Sequence, residues 1–192
     1  MGSLVLTGNT SGSVTVAVPD VAGSNTATIG AATGTHYPFT AGTVQTAPPT
    51  TPQYFDFTGI PSWVKRITVM FNGVSTTGTD AIWIQLGDSG GIENTGYVSV
   101  NTSQSGTLTT TTSAFITGAN NPATDNANGV FTISLLGSNT WIQSGIFAEN
   151  GTSRIYTGSG SKTLSDTLTQ IRITTSGGTQ TFDAGSINIL YE

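Results

Sequence analysis

From Tyr54 to Glu192 the chain repeats one pattern, a short run of alternating apolar and polar residues closed by Gly, Asn, Ser or Asp. A period of two places successive side chains on opposite faces of a strand, and the closing residues are those that turns favour. Lys65 to Val74 sets Ile67, Val69 and Phe71 on one face and Arg66, Thr68, Met70 and Asn72 on the other. Ala81 to Leu86 groups Ile82, Ile84 and Leu86 and sends Trp83 and Gln85 the opposite way. Gln170 to Thr174 turns Ile171 and Ile173 inward and Arg172 and Thr174 outward. Further runs cover Tyr54–Phe57, Tyr97–Val100, Val130–Leu136, Thr140–Ala148, Arg154–Tyr156 and Ser186–Tyr191, and no helical period persists beyond a turn or two. The expectation is an all-β chain, a β-sandwich or jelly-roll-like domain over 54–192.

Residues 1–53 have a different texture, rich in Gly, Ala, Thr and Pro. Leu4-Val5-Leu6 and Val14 to Val18 read as strands too small to bury a core alone, so they are expected to pair with another chain or lie along a partner. Ala47-Pro48-Pro49-Thr50-Thr51-Pro52 reads as a semi-rigid connector, because proline cannot donate a ladder hydrogen bond. The sandwich is therefore expected to follow an extended N-terminal attachment arm.

Charge narrows the function classes. Five Lys and Arg stand against ten Asp and Glu, and charged residues are 8% of the chain, against about 25% in an ordinary domain. The 37 threonines replace them, keeping outward strand positions wet without ionising. Hydrophobic residues at 35% and a net charge of −5 argue for folding rather than disorder. No basic cluster exceeds Lys65-Arg66, which offers no footprint for nucleic acid, and no apolar run reaches the roughly 20 residues of a membrane span. Met1–Thr7 lacks the basic start and long apolar stretch of a secretory leader. Without cysteine there is neither a disulfide nor a thiolate metal site.

No catalytic constellation assembles. Gly87-Asp88-Ser89-Gly90-Gly91 matches the surroundings of a chymotrypsin-like nucleophilic serine, but the one histidine, His36, lies 53 residues upstream across the connector. A Gly-rich turn between Ile82–Leu86 and Tyr97–Val100 is the plainer reading. Glycoside hydrolysis needs a carboxylate pair about 5–10 Å apart, and Asp20, Asp80, Asp88, Asp125 and Asp166 fall singly at expected turns. Asp88 and Glu93 share a loop but form no spaced acidic pattern for Ca²⁺, and His36 alone cannot hold zinc. The expectation is a protein with no catalytic residue, metal or cofactor.

Aromatic residues give the better hint. Trp83 points away from the Ile82–Leu86 face, Trp141 lies opposite Ile142, and Tyr97 and Tyr156 are placed at sheet edges. These four are the candidate receptor or interface residues, as oligomer contacts or as stacking platforms for sugar rings, with burial in the chain's own core as the competing reading. Strands apolar on both faces, as at Ile82/Trp83 and Trp141/Ile142, call for a second cover, so self-association is expected.

Three stretches carry a resemblance. Thr10-Ser-Gly-Ser-Val-Thr-Val-Ala-Val-Pro-Asp-Val-Ala-Gly-Ser-Asn-Thr26, continuing to Ala31–Thr35, resembles a segment of bacteriophage tail-fibre and virion surface proteins. Phe57-Thr-Gly-Ile-Pro-Ser-Trp-Val-Lys-Arg-Ile-Thr-Val-Met-Phe-Asn-Gly-Val74 is similar to the opening of a C-terminal domain in such proteins, and Arg172–Thr175 with Phe182–Glu192 to its closing strand. The resemblance implies a homotrimeric module on the virion exterior, made in the host cytoplasm, with residues 1–53 attaching it and 54–192 forming the knob. Its partners would be further copies of itself, a tail adaptor or major capsid protein, and host surface polysaccharide, with no nucleic acid and no membrane insertion. The leading expectation is a tail-fibre or receptor-binding component. The alternative is a head decoration (cement) protein that clamps capsid subunits through its arm, which the near absence of a shaft also suits.

Overall fold

The computed structural model describes residues 39–47, 52–118, 123–151 and 153–192 in full, and Ser3–Thr7 and Ser13–Ala17 as backbone strands. His36, Asp20, most of the expected arm and residues 48–51 of the connector lie outside the described residues. The chain divides into two compact units, Met1–His36 and Tyr37–Glu192. In the first, β1 (Ser3–Thr7) and β2 (Ser13–Ala17) pair with each other antiparallel.

The second unit is all-β among its described residues, with two antiparallel sheets enclosing one core. The larger sheet has nine strands. Its path runs β10 (Leu108–Thr111), β9 (Tyr97–Ser103), β14 (Arg154–Thr163), β13 (Thr140–Glu149), β12 (Ala127–Gly137), β6 (Arg66–Thr76), β16 (Phe182–Tyr191) and β3 (Thr40–Ala41), with β4 (Gln45–Thr46) also on β16. The smaller sheet runs β11 (Phe115–Ile116), β7 (Ile82–Asp88), β15 (Gln170–Thr175) and β5 (Tyr54–Thr58), with β8 (Gly91–Ile92) on β7. The fold is the expected β-sandwich, but it begins before residue 54. Gly42 N–H donates to Ile189 O at 2.8 Å, Ala47 N–H donates to Gly185 O at 3.0 Å, and the Ala47 side chain is buried.

The alternation read in β6, β7 and β15 sets the core. Ile67, Val69, Ile82, Ile84, Leu86, Ile171 and Ile173 are all buried. Between the sheets, Phe71 meets Phe131 and Phe147 edge-on, with centroids 6.1 and 5.5 Å away, the geometry that ring quadrupoles favour. These rings need glycine beneath them. A Cβ on Gly145 would stand 2.3 Å from Phe131 Cδ1, and one on Gly129 would stand 2.8 Å from Phe147 Cδ2.

Two devices shape the larger sheet. The β12–β13 hairpin turns at Ser138 and Asn139, both at positive φ (45° and 60°), as the two central residues of a type I′ turn must be. On β16 the register with β6 shifts on either side of Ala184. Gly185 is there at φ 85°, 2.4 Å from Gly73 O at the point where a Cβ would sit, so no other residue fits without backbone movement.

Candidate functional site

The structure separates the four aromatic candidates. Trp83 lies on the outer side of the smaller sheet, half-buried, opposite Thr174 on β15 and Ile116 on β11. Tyr97, Trp141 and Tyr156 are 1, 3 and 3% exposed and belong to the chain's own core, so the expectation that they face a receptor or a neighbouring subunit is corrected. On β13 the faces are reversed: Trp141 points in, and Ile142 and Ile146 stand exposed.

Tyr97 turns inward for a hydrogen-bonding reason. Strand β11 is two residues long and pairs with β7 only at Ile84 and Trp83, leaving the next β7 amide without a strand partner on that side. Leu86 N–H donates to Tyr97 Oη at 2.7 Å, and the hydroxyl donates to Glu93 O at 3.0 Å. Two residues along β9, Ser99 Oγ accepts from Ile116 N–H at 3.1 Å. Side chains of β9 thus complete the edge of the other sheet, which offsets the cost of burying them. Burial and the Leu86 bond act on the Tyr97 hydroxyl in opposite senses. Burial is the larger and moves its pKa well above the tyrosine range.

The protease-like motif builds an anchor. Asp88 and Gly91 pair across the β7–β8 hairpin, and Ser89 is exposed at its tip. The Asp88 carboxylate accepts Ser165 O–H at 2.6 Å, Gly90 N–H at 2.8 Å and Asp166 N–H at 2.9 Å. Ser165, Gly90 and Asp166, in order of effect around opposing desolvation, hold its pKa below the usual range. Glu93 Oε1 accepts Ser165 N–H at 2.8 Å, and Oε2 forms an ion pair with Lys162, which is 5% exposed and stands 5.4 Å over the Tyr97 ring. Burial alone would raise the Glu93 pKa, but Lys162 and Ser165 together bring it below the usual value. Both acids thus fasten the 164–168 loop to the hairpin, and no group of three metal-ligating side chains occurs among the described residues.

Two outer faces remain. On the smaller sheet, Trp83, Thr174 and Tyr54 form one cross-strand row and Gln85, Arg172 and Asp56 the next. Arg172 donates to both Asp56 oxygens at 2.7 Å and lies 3.8 Å over the Tyr54 ring, leaving a polar, aromatic-edged surface.

The larger sheet is different. Because Tyr97, Ser99 and Asn101 turn inward, Val98 and Val100 turn outward, Val98 at 66% exposure. They join exposed Leu108, Val130, Leu136, Ile142, Ile146 and Ile155 on five adjoining strands. The remaining outward positions are Thr, Ser, Ala and Asn, and none is charged. A trough of about 650 Å³ runs over β14 among Val98, Val100, Leu108 and Ile142, floored by Thr157, Ser159 and Ser161. Sequence reading missed this face, since the valines of Tyr97-Val98-Ser99-Val100 pass for core.

Compared with known protein families, curated proteins and solved structures, the chain matches none.

Proposed function

We propose that the chain is a non-enzymatic structural protein of the bacteriophage virion exterior, a homotrimeric tail-fibre or receptor-binding component that contacts the host surface. The observation that carries this reading is the aliphatic, charge-free outer face that β9, β10, β12, β13 and β14 of the larger sheet present. A domain that works alone rarely keeps so large an apolar patch in water, and one that assembles buries it. The chain lacks disulfides, and subunit burial is a source of stability that remains open to it. The two acids of the protease-like hairpin are held by Ser165, Asp166 and Lys162, which suits architecture rather than turnover.

The host-facing surface in this reading is the outer face of the smaller sheet. Trp83 and Tyr54 offer ring faces or edges, and the partly exposed Asp56 and Arg172 offer hydrogen-bonding groups of the kind host polysaccharide requires. The test is competition for host cells. Excess soluble chain should slow particle adsorption, and Trp83→Ala should abolish the competition without unfolding the protein. Adsorption indifferent to the wild-type chain would overturn the receptor-binding role.

A further inference from the structure

We infer that the small cavity at one end of the sandwich, between Trp141 and Lys65, is a binding site for a carboxylate group. The site lies apart from both outer sheet faces and does not depend on the virion reading. The cavity holds about 80 Å³. Three segments wall it: residues 62–65 ahead of β6, the β12–β13 hairpin at Leu135, Asn139 and Trp141, and Thr167-Leu168 of the 164–168 loop. Backbone bonds fix these walls against one another. Leu135 N–H donates to Lys65 O at 2.8 Å, and Leu164 N–H donates to Asn139 O at 3.0 Å. Trp141, Val64 and Leu168 are buried, whereas Ser62, Lys65 and Thr167 are exposed, so an enclosed interior opens at a polar rim.

Two side chains call for a ligand and set its charge. Trp141 is 3% exposed, and its indole Nε1 is buried without a hydrogen-bond partner among the described residues. An indole N–H only donates, so whatever satisfies it must accept, and a buried donor left bare costs about 1–3 kcal/mol. The second side chain is Lys65, which among the described residues is the one Lys or Arg with no acid beside it. Arg66 pairs with Glu192, Lys162 with Glu93 and Arg172 with Asp56. Arg154 bonds Tyr156 and feels the charges of Glu149 and Asp125. Among the described residues no Asp or Glu lines the cavity, and Asp166, next to Thr167 in the chain, turns its carboxylate onto Thr167 N–H at 2.7 Å. A buried donor and an unneutralised cation thus share one cavity, and no acid opposes them.

Size narrows the class. A volume of about 80 Å³ is that of roughly two or three waters, enough for a carboxylate and its attached carbon and too small for a sugar ring. A carboxylate carries two oxygens, one for the enclosed N–H and one for the lysine at the rim, and such charge-assisted bonds are the stronger kind. A halide has one centre and cannot serve both levels. The group can arrive as a free small carboxylate or as the pendant acid of a uronic sugar whose ring stays outside.

The experiment is a titration of the isotope-labelled full chain with sodium acetate, followed by NMR at its three indole N–H resonances, with sodium chloride at matched ionic strength as control. Trp141→Phe identifies the Trp141 resonance. If that variant fails to fold, Trp63→Phe and Trp83→Phe, at half-buried positions, identify it by elimination. Acetate should move the Trp141 resonance saturably and leave that of Trp83 in place. Lys65→Gln, at an exposed position, should weaken acetate binding roughly two- to fivefold, the range of an exposed ion pair. Glucuronate separates the two sources: a shift matching acetate's shows that a pendant acid enters, and a shift with acetate alone confines the site to free small carboxylates. A Trp141 resonance indifferent to acetate overturns the site and leaves the cavity to water. An equal shift with chloride overturns the carboxylate class, and affinity unchanged in Lys65→Gln overturns the part given to the lysine.

Discussion

Tyr97→Phe removes one oxygen from the centre of the molecule, and its cost follows from the two bonds that oxygen makes. Leu86 N–H, which is buried, loses its acceptor at 2.7 Å, while Glu93 O, on a half-exposed residue, loses a donor at 3.0 Å. A buried amide left without a partner costs about 1–3 kcal/mol, whereas a carbonyl near the surface recovers most of its loss from water. The phenylalanine keeps the edge-on contact with Phe115, whose ring centroid is 5.1 Å away, so packing changes little. The net expectation is a loss of about 2 kcal/mol, or roughly 4–8 °C in Tm for a domain of this size. Urea unfolding followed by circular dichroism measures it, with the m-value unchanged because the same surface is exposed on unfolding. A loss under about 0.5 kcal/mol would refute the claim that Tyr97 faces inward to complete the edge of β7, since a freely hydrated hydroxyl is removed at almost no cost.

Three further outcomes are expected. Gly145→Ala sets a methyl 2.3 Å from Phe131 Cδ1 and 2.5 Å from Val130 O, and overpacking of this kind should cost about 1–3 kcal/mol in the same unfolding assay. Asp88 and Glu93 both have folded pKa values below their usual 3.8 and 4.5, so their stabilisation is complete above those values and drains away as pH falls through them. Acid titration should therefore show stability declining below about pH 4.5, with Glu93→Gln flattening the decline. Trp83→Ala should lower Tm by less than Phe131→Ala, because Trp83 is half-buried on an outer face and Phe131 is wholly enclosed.

The sequence carried the sandwich and much of its core for a simple reason. In β6, β7 and β15 one alternation is aliphatic and the other polar, so period and sign agree at Ile67, Ile84 and Ile171. In β9 and β13 both alternations mix apolar or aromatic residues with polar ones. A period of two then fixes which residues share a face but not which face is buried, and a slip of one residue exchanges them all. What decided the matter was out of reach of local pattern. Tyr97 and Ser99 are inward because the amides of Leu86 and Ile116, distant in sequence, need acceptors. Trp141 is inward because its ring fills core beside the larger sheet, leaving the smaller Ile142 outside. The aliphatic face that carries the functional proposal is the consequence of those two inversions. The joining of residues 40–47 to β16 was equally hidden, since Thr40-Ala41 and Gln45-Thr46 are too short to show a period.

The most direct test of the central claim is the position of the chain on intact phage particles. Gold-labelled antibody raised against residues 54–192, viewed under negative stain, should decorate the tail end of the virion and nothing else. Label spread over the head would contradict the tail reading and make this a decoration protein acting through residues 1–53. Particles that bind no gold at all would contradict the virion assignment itself.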